Sequence, residues 1–225
     1  MIKFHPDPEQ LEAFAEGSLG ASESLLVSAH CDMCRVCRRT VTLISERLAR
    51  NALPPDTEPQ KLHFDNMLAH ITQLPQADIK QSFISPRPFQ PFIELDGRRF
   101  MLPRTLHRYS QKTGNWSGLV GKLWQAPVEL GNSGVANFIF MGKGGSVPEH
   151  THRGTEYTLV IDGEFSDGIN HYRAGDFIQM GGEDTHAPHS DSPEGCLVFA
   201  IVDQPLHFTS GIARLLNPFS HLFFR

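Results

Sequence analysis

No stretch of this 225-residue chain approaches the roughly 20 consecutive apolar residues that a membrane-spanning helix needs. No passage through a bilayer is therefore expected. The opening residues, MIKFHPDPEQLEAFAEG, lack the apolar core of a secretory signal, which makes the cytoplasm the expected compartment. An excess of positive charge is also missing: 20 Lys and Arg stand against 25 Asp and Glu, a formal charge of −5. Phosphate binding needs clustered positive charge, so direct contact with nucleic acid is not expected. The one local basic group, Arg35, Arg38, Arg39, Arg47 and Arg50, reads as a solvated helix face. Cysteine is scarce too, with four in all. Three of them, Cys31, Cys34 and Cys37, are packed together, and in a reducing compartment that reads as metal ligands or redox thiols rather than a disulfide framework. No internal repeat and no low-complexity tract is present.

What is there changes character partway along. Residues 1 to about 80 carry helical patterns. A short helix is signalled by Pro8, Leu11 and Phe14 with a stop at Gly17, and a second opens after Gly20, with Ser22 as its expected cap, and runs to His30. From Cys37 onward Val41, Ile44 and Leu48 form a narrow stripe on a third helix that ends before Pro54-Pro55. Phe64, Met67, Leu68 and Ile71 mark a fourth. Helices this small bury little core alone, so a metal or a partner surface is expected to hold them, and the stripe on the third is expected to lie exposed. Residues 82–92, SFISPRPFQPF, read as a linker. Beyond it, Phe92 to Leu95, Val128 to Leu130, Phe138 to Met141, Tyr157 to Ile161 and Leu197 to Val202 are short strand-like runs punctuated by glycine, the texture of a sandwich or jelly-roll barrel. The tail from His207, with Ile212, Leu215 and Leu216, is expected to add a short helix.

His30, Cys34 and Cys37 follow a His-x3-Cys-x2-Cys spacing. On a near-helical stretch all three side chains fall on one side, and zinc takes nitrogen and thiolate ligands in a tetrahedron, so three of its ligands are supplied. The competing readings are buried thiols beside a surface histidine, and a redox Cys-x2-Cys that leaves His30 unexplained. Spacing does not fix the fourth ligand: His5, Cys31, His63 and His70 are all chemically suited. Taken together, His5 near the start and the His30–Cys34–Cys37 element between short helices resemble the zinc-binding anti-sigma domain, over roughly the first 80 residues. That resemblance implies that His5, His30, Cys34 and Cys37 bind one zinc and that the helices clasp a sigma factor. Cys31 is extra to the pattern and reads as a small helix residue.

In the second half the string Gly144-x5-His150-x-His152-x3-Glu156-x6-Gly163 matches every spacing of the first cupin motif. In a strand His150 and His152 share a face. The second cupin motif is partly kept: Gly181 stands where the family usually has proline, Glu183 where it has glycine and Ser190 where it often has asparagine, while His186 holds the ligand position. Three imidazoles and a carboxylate suit zinc, manganese, iron(II) or nickel. An open position on such a metal could take substrate or dioxygen. Acid–base groups nearby are few: Glu149, Glu164 and His171 read as surface or turn residues, and His189, beside Pro188, as a bystander. Cys196 begins an apolar strand and reads as a core thiol, with an oxidant-sensing site as the alternative.

A zinc anti-sigma module joined through a proline-rich linker to a single cupin resembles the ChrR family of anti-sigma factors across nearly the whole chain. What this implies is an α + β multidomain chain: a zinc-binding helical bundle over 1–85, then a cupin jelly-roll barrel over 86–225, with the linker at about 82–92. It further implies a cytoplasmic regulator of transcription that sequesters an extracytoplasmic-function sigma factor, with the cupin needed for release under singlet oxygen or a related oxidant. No catalytic residue, nucleic acid or membrane enters this reading, and a homodimer in the free state is compatible with it. The competing class is a metal-dependent cupin enzyme, a dioxygenase or isomerase with a helical appendage. The N-terminal ligand set tells against it, because an appendage needs no zinc.

Overall fold

The computed structural model describes residues 1–53, 64–75, 91–119, 122–130, 135–152, 154–182, 184–204 and 207–209. Helix α1, Pro8–Glu16, starts as its sequence dictates: the Asp7 side chain accepts from the Gln10 N–H while the Gln10 side chain accepts from the Asp7 N–H, Pro8 occupies the first turn, and Gly17 closes the helix in the left-handed conformation. Helix α2, Ala21–Met33, begins one residue after Gly20. Ser22 is therefore not its cap: Gly20 already takes the extended cap conformation and its carbonyl accepts from the Ser24 N–H. Cys34 alone separates α2 from helix α3, Arg35–Ala52, and its extended backbone turns the corner. Helix α4 spans Asp65–Gln73 and buries no side chain.

The stripe on α3 is not exposed as expected. Helix α1 lies against α3, so Val41, Ile44 and Leu48 are half-buried, and Val41 and Ile44 pack on the common core. The apolar side chains α3 does leave open are Val36 and Leu43.

The rest is β. Strands β1 (Phe92–Leu95) and β2 (Arg98–Met101) form a hairpin, followed by a 3₁₀ segment, Arg104–Lys112. Then come β3 (Ser117–Leu119), β4 (Leu123–Val128), β5 (Val135–Met141), β6 (Gly145–Ser146), β7 (His150–Thr151), β8 (Glu156–Ser166), β9 (His171–Arg173), β10 (Phe177–Met180), β11 (Thr185–His186), β12 (His189–Ser190), β13 (Cys196–Val202) and β14 (His207–Phe208). The expected strand over Val128 to Leu130 is corrected: Val128 is the last residue of β4, and its partners on β5 end opposite it. The large sheet runs β3-β4-β5-β13-β8-β12-β6, with β9 and β10 also on β8, and β11-β7-β14 forms a smaller sheet, the curled two-sheet arrangement of a cupin barrel. Strand β8 is the hub, and its bend at Gly163 is glycine-specific, since φ is +76° there and a Cβ would strike the Gly195 carbonyl oxygen. Most of the linker and the whole C-terminal stretch from 210, where a helix was expected, lie outside the described residues.

The helices do not hang free of the barrel. Leu26, Val27 and Ala29 of α2 share one continuous core with Phe138, Leu159 and Phe199. Each large side chain among them contributes about 1.5–3 kcal/mol through burial, so the barrel supplies the apolar cover that the small helices lack. The amino-terminal residues are stitched down as well: the Lys3 and Phe4 N–H groups donate to Asp176 Oδ1 at 2.7 and 3.0 Å, and the Phe177 N–H donates to the Phe4 carbonyl at 3.1 Å.

Candidate metal centres

Four side chains from three segments meet at the first site. His5 follows the stitched segment, His30 lies in the last turn of α2, Cys34 sits at the corner and Cys37 lies in the first turn of α3. His5 Nδ1 is 3.4 Å from His30 Nε2 and 3.5 and 3.4 Å from the sulfurs of Cys34 and Cys37, while His30 Nε2 is 3.3 Å from Cys37 Sγ. A tetrahedral zinc with ordinary bond lengths has nitrogen–nitrogen edges of about 3.3 Å and nitrogen–sulfur edges of about 3.6 Å, so the donor set fits that ion. Of the four candidates for the remaining position the structure brings in His5. Cys31 is buried outside the donor group, His70 lies on the exposed α4, and His63 is outside the described residues.

The chemistry of these groups agrees. His30 Nδ1 lies 2.8 Å from the Gly175 carbonyl, which can only accept, so the proton is on Nδ1 and the Nε2 lone pair faces the site. Burial drives the His30 pKa down to about 4, keeping the ring neutral. Burial, and after it the neighbouring Cys34, pushes the Cys37 thiol up to about 12, so a thiolate there calls for a cation. Gly175, whose carbonyl orients His30, is a site residue that ligand spacing does not reveal. Its φ of +95° strains any residue with a Cβ, and the Ile2 side chain, whose Cδ1 would lie 2.5 Å from that Cβ, would also have to shift.

The second site lies inside the barrel. Pairing of β7 with β11 sets His186 opposite His150, and Glu156 opens β8. His186 Nε2 is 2.9 Å from His150 Nε2 and 3.0 Å from His152 Nε2, and Glu156 Oε2 is 3.1 Å from His152 Nε2. The other Glu156 oxygen accepts from the Thr158 hydroxyl at 2.8 Å, and His150 Nδ1 donates to the Pro148 carbonyl at 2.8 Å. Burial lowers the pKa of His150 and of His152 to about 4, so both rings are neutral. Ring nitrogens of three imidazoles and a carboxylate oxygen converge within 4.8 Å of one another, a donor set that a cation satisfies, and the Nδ1 atoms of His152 and His186 find no acceptor among the described residues. The residues thus fit a divalent metal.

Without the ion these buried imidazoles make the fold acid-labile. In the unfolded chain they bind protons near the ordinary value of 6.5, whereas in the folded chain they do so only near 4, so their neutral burial costs nothing above 6.5 and progressively more as pH falls toward 4. Chelator-treated protein is therefore expected to lose stability across that window, by up to about 3 kcal/mol per ring, in denaturant titrations, and metal-loaded protein to resist the loss. A flat profile for the metal-free chain would contradict the assignment of neutral rings.

The acid–base groups read as surface or turn residues do stay away from the site. Among the residues lining the cavity beside the barrel site, Glu149, Glu164, His171 and His189 do not appear: Glu164 pairs with Arg173, Glu149 accepts from the Thr209 hydroxyl, and His189 turns toward Asp191. Cys196 is fully buried, and burial holds its thiol well above the ordinary range, which suits a core thiol and not a reactive one. The cavity wall, with Ile139, Met141, Ile178 and Val198, was invisible in the sequence beyond its strand alternation.

Residues 112–204 match the family described as the ChrR cupin-like domain. Over 221 residues the chain is 29% identical to the anti-sigma-E factor ChrR of Cereibacter sphaeroides, covering 97% of this chain and 98% of that protein. The chain resembles ChrR over nearly its whole length. In three dimensions the chain is similar to a chain of the crystal structure of Rhodobacter sphaeroides SigE in complex with the anti-sigma ChrR, with 26% identity, a TM-score of 0.63, and 90% of this chain and 100% of that one covered. An RmlC-like cupin from Ralstonia eutropha aligns over 44% of this chain and 69% of its own length at 17% identity and a TM-score of 0.39.

Proposed function

We propose that this ChrR-type chain is an anti-sigma factor: its helical half holds an extracytoplasmic-function sigma factor, and its barrel, carrying a metal, governs release under oxidant stress. The observation that carries this is the uncovered face of α4. Phe64, Met67, Leu68, Ile71 and Leu74 recur at helical spacing on or beside that helix, and each is about half exposed, from 50% to 56%. A helix with an open apolar stripe is built to be covered by another chain. The crystal structure of SigE with ChrR supports a sigma factor as that chain, and in the free state a second copy of this protein is the other surface that would cover it.

In this reading residues 1–85 form the sigma-binding unit with zinc on His5, His30, Cys34 and Cys37, and residues 86–225 the sensing unit, with His150, His152, Glu156 and His186 holding zinc or another divalent metal. Among the described residues the cavity beside the barrel site is lined by no acid–base side chain other than the donors themselves, which supports regulation over catalysis. Among the described residues no helix is long and apolar enough to cross a membrane, which agrees with a cytoplasmic place of action.

Changing Met67 and Ile71 together to aspartate is expected to weaken retention of the cognate sigma factor at least about a hundredfold, roughly 3 kcal/mol, because the interface would then bury two unpaired charges. Co-purification and reporter repression measure it, with metal content as the control for folding. Full repression by a metal-replete double variant would defeat the reading.

A further inference from the structure

The barrel donors are unevenly spaced: His186 Nε2 lies 2.9 and 3.0 Å from the Nε2 atoms of His150 and His152, and Glu156 Oε2 lies 3.1 Å from His152 but 3.9 Å from His186. At metal–nitrogen distances of about 2.1 Å, right angles give nitrogen–nitrogen edges of about 3.0 Å and tetrahedral angles about 3.4 Å. The edges of 2.9, 3.0 and 3.1 Å match right angles and the 3.9 Å edge an angle wider than tetrahedral, an uneven set that leaves an open side which four tetrahedral donors would not. His150, Glu156 and His186 also line a cavity of about 260 Å³ whose remaining walls are mostly apolar, among them Leu123, Ile139, Met141, Ile178, Val198 and Phe208.

We propose that this cavity binds a small monoanionic acid with an apolar body, its charged end at the open side of the donor set. The proposal rests on the metal reading above. Three neutral imidazoles, one carboxylate and a divalent ion leave one net positive charge in a space walled by hydrocarbon. An isolated buried charge is costly, and one anion cancels it, whereas an ammonium would double it and a dianion would reverse it. The apolar wall then favours a hydrocarbon body over water. The volume lies just below the usual range for ligand pockets, which excludes a nucleotide or a whole lipid.

The test is calorimetric titration of the full-length, metal-loaded chain with octanoate, octan-1-ol and octylammonium, with metal counted by elemental analysis. Octanoate is expected to bind saturably at one per chain, at least about tenfold tighter than the alcohol, and the ammonium not at all. Ile139→Trp, and separately Met180→Phe, should keep both metals while weakening octanoate at least about tenfold, by filling the cavity. A chain that carries the barrel metal yet shows no saturable octanoate binding, or binds the ammonium equally well, overturns the proposal alone. A chain without barrel metal overturns the metal reading and the proposal with it.

Discussion

His152→Ala is expected to leave the chain with one equivalent of metal where the parent carries two. The two donor sets differ in kind: two thiolates with two imidazoles at the helices, three imidazoles with a carboxylate in the barrel, and no residue belongs to both. Removing one of four donors from the barrel set weakens it by several kcal/mol, while the thiolate site keeps its full complement. In cells the same variant is expected to repress its sigma factor nearly as well as the parent and to lose the response to oxidant, because α4 and its neighbours are untouched. Elemental analysis and a sigma-dependent reporter, with and without a singlet-oxygen generator, decide it. Loss of both metals would show that the sites are not separable, and an unimpaired oxidant response would move sensing to Cys34 and Cys37.

Asp176→Ala is expected to release zinc from the helical site at least about tenfold faster, although Asp176 is not a ligand. Its carboxylate, on a residue only 2% exposed, accepts from the N–H groups of Lys3, Phe4 and Arg173 at 2.7, 3.0 and 2.8 Å. Each bond to a charged acceptor is worth roughly 1.5–3 kcal/mol, and two of the three fix the segment that delivers His5. Without them only the Phe177–Phe4 backbone bond and the packing of Phe4 on Tyr172 hold the segment, so more of the ordering of His5 falls to the metal. Zinc transfer to a chromophoric chelator reads the rate, and barrel metal content, expected to be unchanged, separates this role from general unfolding. The milder change Asp176→Asn retains one acceptor oxygen and should give a rate between those of the parent and the alanine variant. An alanine variant that releases zinc at the parental rate would show that the stitching is decorative. The same strand that begins at Phe177, bonded to Phe4, presents Ile178 and Met180 to the barrel cavity and sets Met180 opposite Glu156, so the two centres share a structural element.

Much of this was legible beforehand for a local reason. His30, Cys34 and Cys37 lie within eight consecutive residues, and His150, His152 and Glu156 within seven, so their spacing alone encodes their convergence once the local backbone is helix or strand. The strong elements were legible too: α1 announces itself through Asp7, Pro8 and Gly17, and β13 through an unbroken apolar run. Weak spots were those where local signals compete. Ser22 is as good a cap as Gly20 on sequence, and backbone conformation chose the glycine. Short pairs such as β7, β11 and β14 exist only because partner strands complete them, so no periodicity of their own could reveal them.

The sequence by itself determined the two donor sets, the change from helical to β texture and the amphipathic α4, because each depends on contacts between near neighbours in the chain. Only the tertiary structure decided that His5 rather than Cys31 completes the first set, that α1 covers the α3 stripe and leaves α4 as the open face, and that the turn at Gly175 and Asp176 holds both histidines of that set. Those outcomes rest on contacts between groups as far apart in sequence as Lys3 and Asp176, which local pattern cannot encode and which packing of the helices on the barrel creates.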